Sequence, residues 1–115
     1  MPSPSLTERL RRDLTQAMKD RDRPAIAALR QTLAAIANAE APPLPDTPGQ
    51  LPTEPVVGTA NEVARLALTD ADVARVVHAE LAERARAVDE YTAIGRPAEA
   101  AAVAAEATVL RRYLA

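Results

Sequence analysis

The sequence predicts an all-α fold: a helical bundle of two αα-hairpins, about four main helices, joined by a Pro-rich crossover loop. Three observations predict it. First, the 48% apolar content divides into 27 alanines and 28 larger residues, with Tyr91 and Tyr113 the sole aromatics. Alanine has the highest helix propensity, whereas a β-sandwich needs β-branched and aromatic surface. Second, apolar residues recur three and four apart in four separate stretches, the period of one helix face. Third, Gly95 and the prolines punctuate those stretches rather than interrupt them.

The first helix is expected over about 6–20. Ser5 is a natural N-cap and Glu8, three residues on, completes a capping box. Leu6, Leu10, Leu14, Ala17 and Met18 form its apolar stripe. The second runs from Pro24 to about Glu40. Proline suits a first turn because its missing N–H has no intrahelical partner there, and Asp22 can cap it. Ile26, Leu29, Leu33 and Ile36 make the inward stripe.

Residues 42–55 then hold six prolines. Without N–H donors they continue neither a helix nor a central strand, so 41–59 reads as a Pro-rich loop. In "VVGTANEVARLAL", Asn61 could cap a short helix carrying Val63, Leu66 and Ala67.

"LTDADV" starts the third helix, over about 70–94. Thr69 caps it, Asp70 and Asp72 complement the dipole in its first turn, and Val73, Val77, Leu81, Val88 and Tyr91 share a face, with Val76 and Ala85 beside them. Such a rod is about 37 Å long. "EYTAIGRPAE" ends it. Gly95 supplies a positive-φ cap, and Pro97 biases Arg96 away from the helical region and presets the next helix. The Gly95–Arg96–Pro97 corner is therefore read as a structural turn, with Arg96 exposed at its tip. The fourth helix, about 97–114, carries Ala100, Val103, Ala107, Leu110 and Leu114 in a heptad-like seam. At 115 residues the whole chain makes a single domain.

Chemistry-bearing constellations are sparse. With no cysteine there is no disulfide or thiolate site. The lone His78 has Ala82 at i+4, so no second ligand follows it. The serines, Ser3 and Ser5, lie at the N-terminus, and no G-x-S-x-G or Gly-rich phosphate loop occurs. The carboxylate pairs Asp20/Asp22, Asp89/Glu90 and Glu80/Glu83 read as solvated faces, with Glu80–Arg84 and Glu83–Arg86 as surface pairs along the helix. Catalytic, cofactor and metal sites are accordingly expected to be none.

Charge is uneven. Residues 1–40 carry seven basic and five acidic side chains, 41–64 three acidic and none basic, and 65–115 seven basic and eight acidic, for a net charge of -2. The candidate contacts for a nucleic acid or partner are Arg9, Arg12, Lys19, Arg21, Arg23 and Arg30, without interleaved aromatics to stack bases. Thirteen arginines against Lys19 alone fit the coding bias of a GC-rich genome. No apolar run approaches a membrane span, and the N-terminus lacks signal-peptide regions, so a cytoplasmic protein is expected.

Five stretches together resemble the YqeY family of GatB/YqeY-related proteins: "DLTQAMKDRD" at 13–22, "LRQTLAAIANAE" at 29–40, "LTDADV" at 68–73, "EYTAIGRPAEA" at 90–100 and "EATVLRRYL" at 106–114. The resemblance implies the family's N-terminal helical domain and kinship to the helical tail of GatB, a subunit of the tRNA-dependent amidotransferase. It carries the family label of carbon–nitrogen ligase with glutamine as amido-N-donor, and implies tRNA or a translation-related protein as partner. It transfers no catalytic residue. The family pattern continues after the Tyr-Leu pair into a small C-terminal domain that this chain, stopping at Ala115, lacks, and a long Pro-rich insert replaces its short connection before "LTD". The expectation is a non-catalytic helical adaptor. The alternative is a protein–protein interaction module or homodimer, a homo-oligomer through helix 4, with no nucleic-acid role.

Overall fold

In the computed structural model, residues 3–42 and 66–114 are described. They form four helices, α1 (Leu6–Asp20), α2 (Arg23–Glu40), α3 (Asp70–Ala93) and α4 (Pro97–Arg111), and no strand occurs among them. The all-α bundle is what alanine content and spacing predict. The most extensive packing is between α3 and α4, α1 lies on α2, and α2 touches all three other helices.

Local side-chain chemistry sets the helix starts. Ser5 and Glu8 form the capping box of α1, with Glu8 N–H donating to Ser5 Oγ at 3.1 Å and Ser5 N–H to Glu8 Oε2 at 3.3 Å. Leu6 N–H, another orphan donor of that first turn, is satisfied from afar by Asp70 Oδ1 at 3.1 Å, which ties the start of α1 to the start of α3. Asp22 caps α2 by accepting from Ala25 N–H at 3.3 Å. Thr69 and Asp72 form a second, reciprocal box on α3. The Thr69 N–H and hydroxyl, then Arg75, hold the Asp72 carboxyl below the usual carboxylate range. That contribution is complete at neutral pH and is lost as pH falls through the lowered value.

The α3–α4 corner follows its backbone requirements. Gly95 has φ +75° and Arg96 sits at φ -113°, ψ 68°, outside the helical region. Arg96 N–H reaches back to Tyr91 O at 2.8 Å, closing the end of α3. Arg96 is exposed, and its side chain pairs with Glu99 at 3.4 Å.

The core gathers Leu10, Leu29, Ile36, Val73, Val77 and Leu110, all within 2% of complete burial. Four expectations change. Met18, assigned to the α1 stripe, is 49% exposed, and Ala85 is exposed as well. The fourth helix ends at Arg111 rather than 114. Arg112, Tyr113 and Leu114 then turn through i→i−3 bonds of 3.1–3.2 Å, the tighter geometry common at helix ends. Val109, off the predicted seam, is buried because α4 packs on both α3 and α2. The short helix expected from Asn61 lies mostly outside the described residues; Leu66 and Ala67, its described part, are non-helical and exposed. The Pro-rich 41–59 also lies outside them, apart from Ala41 and Pro42. Leu66 N–H donates to Glu40 O at 2.8 Å, so the chain returns to the corner it left.

Two stability changes test this account. A Cβ on Gly95 meets no atom within 4 Å, so Gly95→Ala carries only the backbone cost, about 1 kcal/mol or about 5 °C in Tm; an unchanged midpoint would refute the left-handed conformation. Thr32 is fully buried and its Oγ1 has no hydrogen-bond partner among the described residues. Thr32→Val should be neutral or stabilising by about 1 kcal/mol in urea unfolding, and a marked loss would mean the hydroxyl is bonded.

Candidate functional site

The six cationic candidates divide by helix face. Arg12 and Lys19 stand seven residues apart on α1, away from buried Leu6, Leu10 and Ala17. Arg23 and Arg30 stand seven apart on α2, opposite buried Ala25, Leu29, Thr32 and Ile36. All four are exposed, and so is Arg21, which takes the left-handed conformation at φ 56° in the α1–α2 corner. Arg12 also pairs with Asp13 at 3.4 Å, a contact of small net worth at this exposure. Residues seven apart project from the same side of a helix two turns on, so the bundle shows two outward cationic ridges.

Arg9 departs from this group. It is half-buried, and its guanidinium lies 5.6 Å from the centre of the Tyr113 ring, within cation–π range. The turn after α4 brings Tyr113 there, and its hydroxyl donates to Asp13 Oδ2 at 2.5 Å across a hundred residues of sequence. Beside them opens a cleft of about 230 Å³. Its floor is apolar, from Ala17, Ala25, Leu29 and Val109, and Arg9, Arg112, Asp20 and Asp22 stand around it. Gln16 Nε2 donates to Asp20 Oδ1 at 3.0 Å. Burial, then the bond to and charge of Asp13, push the Tyr113 phenol well above its ordinary value near 10, against the pull of Arg9 and Arg112. The carboxylates make this cleft a poor phosphate pocket, and its one hydroxyl, that of Tyr113, is tied to Asp13.

The polar feature missed by sequence reasoning is Arg84. Its pair with Glu80 reads in the sequence as a solvated i,i+4 contact, yet Arg84 is only 5% exposed. Its Nη1 donates to Glu80 O at 3.0 Å and Glu80 Oε1 at 3.2 Å, its Nε to Glu106 Oε1 at 3.1 Å, and its Nη2 to Gln31 Oε1. One guanidinium thus joins α2, α3 and α4. The available signal was position: Arg84 falls seven residues after Val77, on the buried side of α3. Glu83 and Arg86 form no such pair, and His78 is exposed.

Among the described residues no group of three or more His, Asp or Glu side chains could hold a metal ion, and no helix is long and apolar enough to cross a membrane. Comparison with protein-family models, curated proteins and solved structures returned no match.

Removing one member of a buried ion network leaves the others uncompensated. Arg84→Ala should therefore lower stability by about 3 kcal/mol, with Arg84→Met plus Glu106→Leu recovering part of the loss. Denaturant unfolding checks both. Because the folded state favours the neutral phenol, the Tyr113 contribution is full below about pH 10 and is lost as pH rises further. Ultraviolet titration of the Tyr91→Phe protein should show Tyr113 ionising above its ordinary range, and Asp13→Asn should bring it down; ordinary ionisation in the parent would mean the Asp13 bond does not persist in solution.

Proposed function

We propose that this chain is a cytoplasmic, non-catalytic helical adaptor acting around tRNA in translation, as its resemblance to the YqeY family and the GatB tail implies. The observation carrying the nucleic-acid part is the pair of outward ridges, Arg12 with Lys19 and Arg23 with Arg30. Exposed cations on rigid helices are suited to phosphate contact, which is sequence-independent and salt-sensitive.

The resemblance gains support from where its residues fall. Asp13 of the first quoted stretch bonds Tyr113 of the last. Gln31 of the second and Glu106 of the last meet on Arg84. Thr69 and Asp72 of the third form the α3 capping box, and Gly95 of the fourth makes the α3–α4 corner. These residues hold joints of the bundle, so the stretches that carry the resemblance are also ones on which this fold depends. The carbon–nitrogen ligase label of the family is better read as the activity of a larger assembly, because no residue in this chain is assigned to glutamine hydrolysis or amide transfer.

The alternative, a protein–protein module or homodimer through α4, must use a face other than the predicted seam. Ala100, Ala107 and Leu110 are buried within the protomer, leaving Ala101, Ala102 and Thr108 outward.

Titration with bulk tRNA at about 50 and about 200 mM salt tests the proposal. Four phosphate contacts predict weakening by about a hundredfold between the two, and loss of binding on changing Arg12, Lys19, Arg23 and Arg30 together to Gln. Absence of salt-sensitive binding below about 100 μM would reject tRNA contact. Sedimentation of the free protein at micromolar concentration as a dimer would favour the alternative.

A further inference from the structure

A second cleft, about 330 Å³, opens where α2 meets α3 and α4. Arg84 lies at its base, already bonded to Gln31 and Glu106. Ala87 and Val103 give it apolar walls, and Tyr91 and Glu83 complete the lining. The polar groups are unevenly used. All three nitrogens of the Arg84 guanidinium donate within the chain. By contrast, Glu83 and the Tyr91 hydroxyl have no partner among the described residues, and Glu106 engages only one carboxylate oxygen.

The balance around the cleft is two negative charges in excess: Glu80, Glu83 and Glu106 against Arg84. An anion would face the free carboxylate oxygens of Glu83 and Glu106 and an excess of negative charge, with a single Nη2 N–H of Arg84 left to offer. A bare metal ion lacks the ligands, since no metal-holding group of three acids or histidines exists among the described residues. What fits is an organic cation with an apolar stem. Its head can lie between Glu83 and Glu106, and its methylenes along Ala87 and Val103, as long cationic side chains bury their stems. A planar head that donates to two carboxylates and stacks on an aromatic ring is a guanidinium rather than an ammonium.

We propose that this cleft receives the arginine side chain of a partner polypeptide. Arg84 then acts as a positioning residue: it fixes Glu106 and Gln31 and offsets part of the repulsion between the carboxylates. The assignment does not rest on tRNA binding, and either can fail without the other.

The test is an NMR titration of the ¹⁵N-labelled full chain with N-acetyl-arginine amide to about 20 mM, a range suited to a millimolar Kd for a single side chain. Saturable amide shifts are expected at Gln31, Ala87, Tyr91 and Val103. N-acetyl-citrulline amide, nearly the same shape without charge, should give none, and free arginine should bind no better than the amide. Glu83→Gln, at an exposed position without a partner among the described residues, should weaken binding about fivefold. Tyr91→Leu serves as the second variant and should also weaken it. Shifts of equal size with citrulline, shifts indifferent to both variants, or no shift by about 20 mM would overturn the proposal. Clearly tighter binding of free arginine would overturn the polypeptide as its source.

Discussion

The guanidinium of Arg84 reaches three helices at once, with a nitrogen given to each: Nη2 to Gln31 on α2, Nη1 to Glu80 on α3 and Nε to Glu106 on α4. Its importance follows from what surrounds it. An alanine-rich interface brings helices close but offers few large side chains to lock one position against the next. Leu10, Leu29, Ile36 and Leu110 are the largest of the fully buried side chains and supply such knobs. Further along the α3–α4 hairpin the buried contacts are Ala100 and Ala107. Directional, charge-assisted bonds fix a register that smooth apolar surfaces leave loose. A half-satisfied network would be worse than an apolar core, so Gln31, Glu80 and Glu106 are constrained together.

The helix ends extend the same logic outward. Leu6 N–H to Asp70 and Tyr113 to Asp13 both tie α1 to elements far along the chain. α1 makes little contact with α4 itself, so the Tyr113 turn holds that side of the bundle closed. This arrangement spends the inward-leaning charges of α1 on structure and leaves Arg12 and Lys19 facing solvent. The chain thus separates polar groups that join helices from those that face solvent.

What was legible in the sequence was local. Ser5 with Glu8, Asp22 before Pro24, Thr69 with Asp72, and Gly95 before Pro97 each act within three or four residues, and each determines a helix boundary. The outward direction of Arg12, Lys19, Arg23 and Arg30 follows from helical spacing alone. Features that need a third element were not legible. Val109 is buried only because α2 crosses α4, and Met18 is exposed because no helix covers that side of α1. Arg84 looked solvated because charge type outweighed its place on the stripe. Neither cleft could be read from the sequence, since Asp13 meets Tyr113, and Gln31 meets Arg84, only after the helices are assembled.

The bond from Leu66 N–H to Glu40 O pins the end of α2 to the stretch that leads into α3. Glu40 and Leu66 stand twenty-six positions apart in the sequence, yet that bond holds their backbones at hydrogen-bond distance. Closing a longer chain between fixed ends costs only about 0.6 kcal/mol per doubling. A pinned pair of ends makes the entropic cost of a change of length at this position small, whatever the sequence placed there.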